Sequence, residues 1–162
     1  MKKAFTMIEL IFVIVVIGIL VAVAIPRISS NRDNAKAGIC AIEFGNIITE
    51  ITSNYATLGY TEFQTLTIGA ISNVKSGLGV DTGTGIVEDG TVLVISGIHY
   101  NCEADEMSEV SFTNVSANGD YNVTIIPSAD ATTPASISGA ALIKKNYKIS
   151  SSDTSINLPL SY

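Results

Sequence analysis

Apolar positions fall into three regimes along this chain. From Phe5 to Ile25 (FTMIELIFVIVVIGILVAVAI) an apolar run of 21 residues is interrupted by one charge, Glu9. At about 1.5 Å per residue, a helix of that length spans about 30 Å, the thickness of a bilayer's hydrocarbon core. Past Pro26, the residues Ala35, Ile39, Ile42, Ile47, Ile51, Tyr55 and Leu58 recur mostly three to five positions apart, which predicts an amphipathic helix with these residues on its apolar face. Proline removes a backbone donor and crowds the preceding turn, so a break or bend is expected near Pro26. Phe5 to about Leu58 then forms one long helix of about 80 Å.

From Gly59 to Gly90 the period is lost in a stretch rich in Gly, Thr and Ser, which reads as a long connecting loop. Strand patterns follow in TVLVISGIHYN, EVSFTNV and DYNVTIIP, and Ser116 to Asp120, centred on Asn118-Gly119, predicts a hairpin turn between the second and third. The stretch SADATTPAS after Pro127 reads as a surface loop. Ala140 to Tyr147 fits a short helix or a strand, and the alternation in IKKNYKIS favours the strand. The tail SSSDTSINLPLSY is expected to pack on an edge or stay mobile. A long helix on an antiparallel sheet of three to four strands defines an α+β layer architecture.

The composition of the 162 residues, 47% apolar and 15% charged, excludes a disordered chain and leaves no room for several large domains. A net charge of -6 argues against nucleic acid as a partner, because phosphate binding needs clustered Lys and Arg. Between Lys75 and Lys144 there is no cationic side chain, only acids such as Asp81, Glu88, Glu103 and Asp120.

Lys2 and Lys3 precede the apolar run and are expected to stay cytoplasmic by the positive-inside rule, sending the remainder outward. A cleaved signal peptide fits less well, because the run exceeds an ordinary apolar core of about 7–15 residues and no small-x-small site follows. Glu9 is anomalous inside such a segment, where an acid costs on the order of 2.5–3.5 kcal/mol and generally marks a function.

MKKA followed by FTMIEL and an unbroken apolar run to Pro26 resembles the N-terminal segment of the type IV pilin family, which includes the pseudopilins of type II secretion systems; the resemblance covers about the first 28 residues. It implies a pilin-like fold, cleavage by prepilin peptidase between Ala4 and Phe5, methylation of the new amine, and assembly through the apolar helix. Glu9 then stands fifth after the cut, where the family keeps its acid, and Gly18 and Pro26 match the family's usual glycine and proline. The chain departs from the family pattern at Ala4, where glycine is usual. Physically, a new amine at Phe5 carries a positive charge that Glu9 of a neighbouring helix neutralises when helices stack with an axial offset; desolvation offsets much of the attraction, so the pair sets register more than stability.

Cys40 and Cys102 belong to the part expected outside the cytoplasmic membrane, where an oxidising periplasm favours pairing them; two buried free thiols are the alternative. Zinc spacing is absent. His99 stands alone in a strand-like run and reads as structural. Glu103, Asp105, Glu106 and Glu109 are expected in a loop, and since some pseudopilins of this family bind calcium, the resemblance makes them a calcium candidate; without an EF-hand pattern, a solvated acidic loop is the favoured reading. Gly77, Gly79, Gly83 and Gly85 lack the Lys-Ser/Thr of a phosphate loop. Arg27, Arg32 and Lys36 read as headgroup contacts or a solvated face.

The expected organisation is therefore residues 1–4 as a leader, 5–26 as a transmembrane or filament-core helix, and 27–162 as an extracytoplasmic domain that includes the second half of the helix. The expected function is structural, with no catalysis and no cofactor: a subunit held in the inner-membrane lipid, cleaved, and polymerised with like subunits by an inner-membrane assembly platform into a type II secretion pseudopilus or a type IV pilus. The alternative is an uncleaved single-span protein whose acidic domain binds a ligand outside the membrane.

Overall fold

The computed structural model describes residues 6–71, 78–79, 98–102, 105–114, 121–150 and 153–160. Helix α1 runs from Met7 to Phe63 and α2 from Ile68 to Ile71; strands β1 (Leu78–Gly79), β2 (Ile98–Cys102), β3 (Asp105–Asn114) and β4 (Tyr121–Pro127) follow, then helix α3 (Pro134–Asn146) and strand β5 (Ile156–Leu160). The sheet is antiparallel in the order β1-β2-β3-β4-β5, four full strands with the two-residue β1 at one edge. The α+β arrangement expected from the pattern is present.

One stripe of α1 enters the core. Ala37, Ala41, Phe44, Ile48, Ile51, Tyr55 and Phe63 recur at helical spacing and are buried, and from Phe44 onward they share one core with Ile47 and with Tyr100, Val110, Val123 and Ile125 of the sheet. Strand β4 shows the period-2 alternation of a half-buried strand, with Tyr121, Val123, Ile125 and Pro127 inward. The expected apolar face of α1 is corrected at three positions, since Ala35, Ile39 and Ile42 point to solvent. The core takes Ala37 and Ala41 instead.

Of the break or bend expected near Pro26, there is no break: the long helix keeps helical backbone angles through the proline. The departure lies at Gly59, whose φ of 71° and ψ of -179° suit glycine alone. Beyond it the last turn is redirected so that Tyr60 stacks on Tyr121 at 5.4 Å and Phe63 meets Tyr55 edge-on at 5.1 Å.

Two further readings change. Of the short helix or strand left open at Ala140 to Tyr147, with the strand favoured, the structure has the helix: the segment falls in α3 and the turn that follows it, and that helix starts inside the stretch read as surface loop. Thr133 caps it by accepting from the Ser136 amide at 3.2 Å, and Pro134 holds the first helical position, where its missing N–H costs nothing. Gly139 lets α3 close onto the buried Met107, whose sulfur a Cβ there would strike. The tail supplies β5, paired with β4 from Tyr121↔Leu160 to Ile125↔Ile156. The turn at Ser116–Asp120, residues 91–97 of the first expected strand, and Gly77, Gly83 and Gly85 lie outside the described residues; Gly79 is in β1.

Candidate functional site

The feature that sets this molecule apart is the first third of α1. Every residue from Met7 to Ile25 is exposed, although nearly all are apolar, and the segment is long and apolar enough by length and composition to cross a membrane. No other part of the described chain packs on it. A surface helix normally confines apolar side chains to one stripe; here they cover the whole circumference, so the segment needs lipid or other helices around it.

At its start, Glu9 has a partner that the sequence reading missed. Thr6 is the N-cap, its hydroxyl accepting from the Glu9 amide at 3.4 Å, while Glu9 Oε2 accepts from the Thr6 amide at 2.9 Å and the Thr6 hydroxyl at 2.7 Å. This reciprocal capping box satisfies donors that a helix start leaves open, and its signature, Thr-x-x-Glu before an apolar run, is written in the chain. Ala4 and Phe5 lie outside the described residues. Arg27 and Arg32, both exposed, follow the apolar segment directly, with Lys36 half-buried one turn on.

Where α1 enters the folded domain, it is tied covalently. Cys40 and Cys102 form a disulfide with a Cα–Cα distance of 5.9 Å across a sequence separation of 62, joining α1 to the end of β2. Beside it, the buried Tyr100 hydroxyl donates to Glu43 Oε2 at 2.8 Å, and burial, then this bond to a carboxylate, pushes the phenol well above its ordinary value.

The acidic group expected in a loop lies instead on β3, apart from Glu103, which is outside the described residues. Asp105 Oδ2 accepts from the Thr132 and Thr133 amides, each at 2.8 Å, and from the Ser136 hydroxyl, so this carboxylate anchors the start of α3. Those donors hold its carboxyl well below the usual carboxylate range, the Ser136 hydroxyl contributing most. Glu106 lies 3.1 Å from Nδ1 of His99, and Glu109 stands opposite His99 in register; a bulge at Met107 brings both acids to the outer face of the sheet. Among the described residues, no three His, Cys, Asp or Glu side chains converge as a metal would require.

The lowered Asp105 value has a definite sign. Because the folded state binds this proton more weakly than the unfolded chain, the stability Asp105 supplies is complete above about pH 4 and is lost as the pH falls through its folded value. Asp105→Asn is expected to lower unfolding free energy at pH 7 by about 1–2 kcal/mol, near the low end for bonds to a charged group because the site is half exposed. It should also flatten the acid limb of stability below pH 4, measured by thermal unfolding of the detergent-solubilised chain.

Comparisons with protein-family models, with curated proteins and with solved structures find no match to this chain.

Proposed function

We propose that this chain is a pilin-type structural subunit, a pilin or pseudopilin that assembles through its N-terminal helix. The observation that carries the reading is a helical segment apolar on every side, continuous with a helix that is buried on one side only and cross-linked to a small α+β domain. Such a segment suits two environments in turn: lipid while the subunit is stored in the inner membrane, and a bundle of like helices once it is assembled. The FTMIEL context adds processing before Phe5 by prepilin peptidase. It also adds the amine of Phe5 as the charge that Glu9 of a neighbour meets. Nothing in this reading requires catalysis. Between a type II secretion pseudopilus and a type IV pilus, the absence of Lys and Arg from the sequence between residues 75 and 144 favours secretion.

One observation favours the second reading, an uncleaved single-span anchor for an acidic binding domain. Glu9 already has hydrogen-bond partners in Thr6, so the carboxylate does not need a neighbouring chain. Intact-mass and N-terminal peptide spectrometry on protein from its native membrane separates the two. A chain beginning at methylated Phe5, and lost when the peptidase is absent, supports the filament reading. A chain that keeps Met1 to Ala4 in cells with active peptidase overturns it and leaves the anchor.

A further inference from the structure

The six residues that follow the apolar segment and Pro26 form a collar of a different kind. Arg27, Ile28, Ser29, Ser30, Asn31 and Arg32 are all exposed, and over about 1.7 turns of α1 they cover its whole circumference. Five of the six side chains carry hydrogen-bond donors, and no acid occurs between Glu9 and Asp33. A solvated helix face generally mixes both signs of charge. Among the described residues, none of these five donors has a partner on the chain. Hydroxyls further along the same helix behave otherwise, since Thr49, Thr52 and Thr57 donate to the carbonyls of Gly45, Thr49 and Ser53.

The length of the collar matches the polar layer of a bilayer. With the hydrocarbon ending at Ile25, the collar runs from about 3 to about 10 Å beyond it, and a headgroup layer is about 5–8 Å thick. Helical side chains lean toward the N-terminus, here toward the apolar segment, so Arg32 reaches back into that layer. Asp33, the first acid, begins about 12 Å out and is half-buried, and Lys36 follows at about 16 Å. The layer therefore receives two guanidinium charges and no carboxylate. On the expected outward topology, cations on this flank oppose the positive-inside preference, a cost for which a merely solvated face gives no reason.

We infer that the collar binds the phosphates of anionic phospholipids, with Arg27 and Arg32 each holding a headgroup. A guanidinium presents a planar fork of donors that matches phosphate oxygens, and Ser29, Ser30 and Asn31 add donors beside it. Anionic lipid is favoured over zwitterionic because a choline or ethanolamine group brings a further cation into a layer that holds no acid to receive it. The inference rests on the membrane placement that both readings above share, and not on filament assembly.

The test places a photo-crosslinking amino acid at Ile28, between the two arginines, in the full chain reconstituted into vesicles of phosphatidylcholine and phosphatidylglycerol. Val16, in the middle of the apolar segment, is the reference site. At position 28, phosphatidylglycerol adducts identified by mass are expected to exceed that lipid's share of the vesicles about fivefold, the factor that one arginine's attraction to an anionic surface supplies. The excess should shrink at high salt and vanish in Arg27→Gln with Arg32→Gln. Both side chains are exposed, so the Cys40–Cys102 disulfide and the melting curve should not change. An excess that survives the double substitution, or adducts in bulk proportion on the unsubstituted chain, overturns the collar. Lipid adducts at 16 with none at 28 do the same and leave the membrane placement standing. Adducts at neither position remove that placement, and the collar with it.

Discussion

On the filament reading proposed above, Glu9→Ala is expected to reduce sheared surface filament, or the overproduced pseudopilus, to under a tenth of its normal amount while the domain remains folded. The reason lies in where the carboxylate sits. Glu9 begins a helix exposed along its whole apolar length, and nothing else in that segment offers a charge to fix the axial offset between neighbouring helices. Apolar side chains pack at many offsets with similar energy, whereas a charge pair in a low-dielectric bundle has one. Within the monomer the loss is small, because only the capping box with Thr6 disappears and a cap contributes about 1 kcal/mol. Glu9→Gln is the informative companion, since it keeps an oxygen for the Thr6 amide but removes the charge. Assembly lost in both variants identifies the charge as the essential element. Assembly retained in Glu9→Gln assigns the role to the cap, and misfolded monomer in Glu9→Ala counts against the register argument altogether. Protease resistance of the domain and filament yield, measured on the same cells, give both readouts.

The second large effect concerns the disulfide. Cross-linking residues 62 apart restricts the unfolded chain, and the loop-entropy estimate for such a closure is about 4 kcal/mol. In a domain whose net stability is on the order of 5–15 kcal/mol, that is a large share. Cys40→Ser with Cys102→Ser is therefore expected to lower the thermal midpoint by well over 10 °C for a domain of this size. The same shift should follow reduction of the wild-type chain in detergent. A double variant that melts within a few degrees of wild type shows instead that burial of Phe44, Tyr100 and their neighbours holds α1 to the sheet unaided.

How much of this was readable beforehand depends on the range of the interactions involved. The apolar segment, the paired strands at residues 109–114 and 121–127 and the α+β class follow from local periodicity, which the structure retains. Helix α3 is only half legible: a short helix over 140–147 competes with a strand because ASISGAALIKK is small and weakly patterned, although Thr133-Pro134 is a helix-start signal by its chemistry. The isoleucines of α1 drew the expected apolar face toward Ile39 and Ile42, because hydrophobicity alone ranks Ile above Ala. The core chose Ala37 and Ala41, which are buried where the isoleucines are exposed, a choice that helical period and hydrophobicity do not make alone. Asp105 is the same lesson in polar form: it joins an acidic run by sequence, yet its donors arrive 27 to 31 residues later. For Glu9 the partner is three residues away, and Thr-x-x-Glu before an apolar run carries it in the sequence.

The disulfide also determines how the molecule carries force. Ala37 is the first fully buried residue of α1, and Cys40 follows within one turn, so the cross-link sits at the mouth of the groove that the helix enters. Tension applied to the apolar N-terminal end of the helix would otherwise peel it from the domain one contact at a time, beginning at that mouth. The first tie it meets is covalent. The load passes through Cys102 into β2 and across the hydrogen-bonded strands, while the aromatic contacts around Tyr55 and Phe63 lie in its shadow.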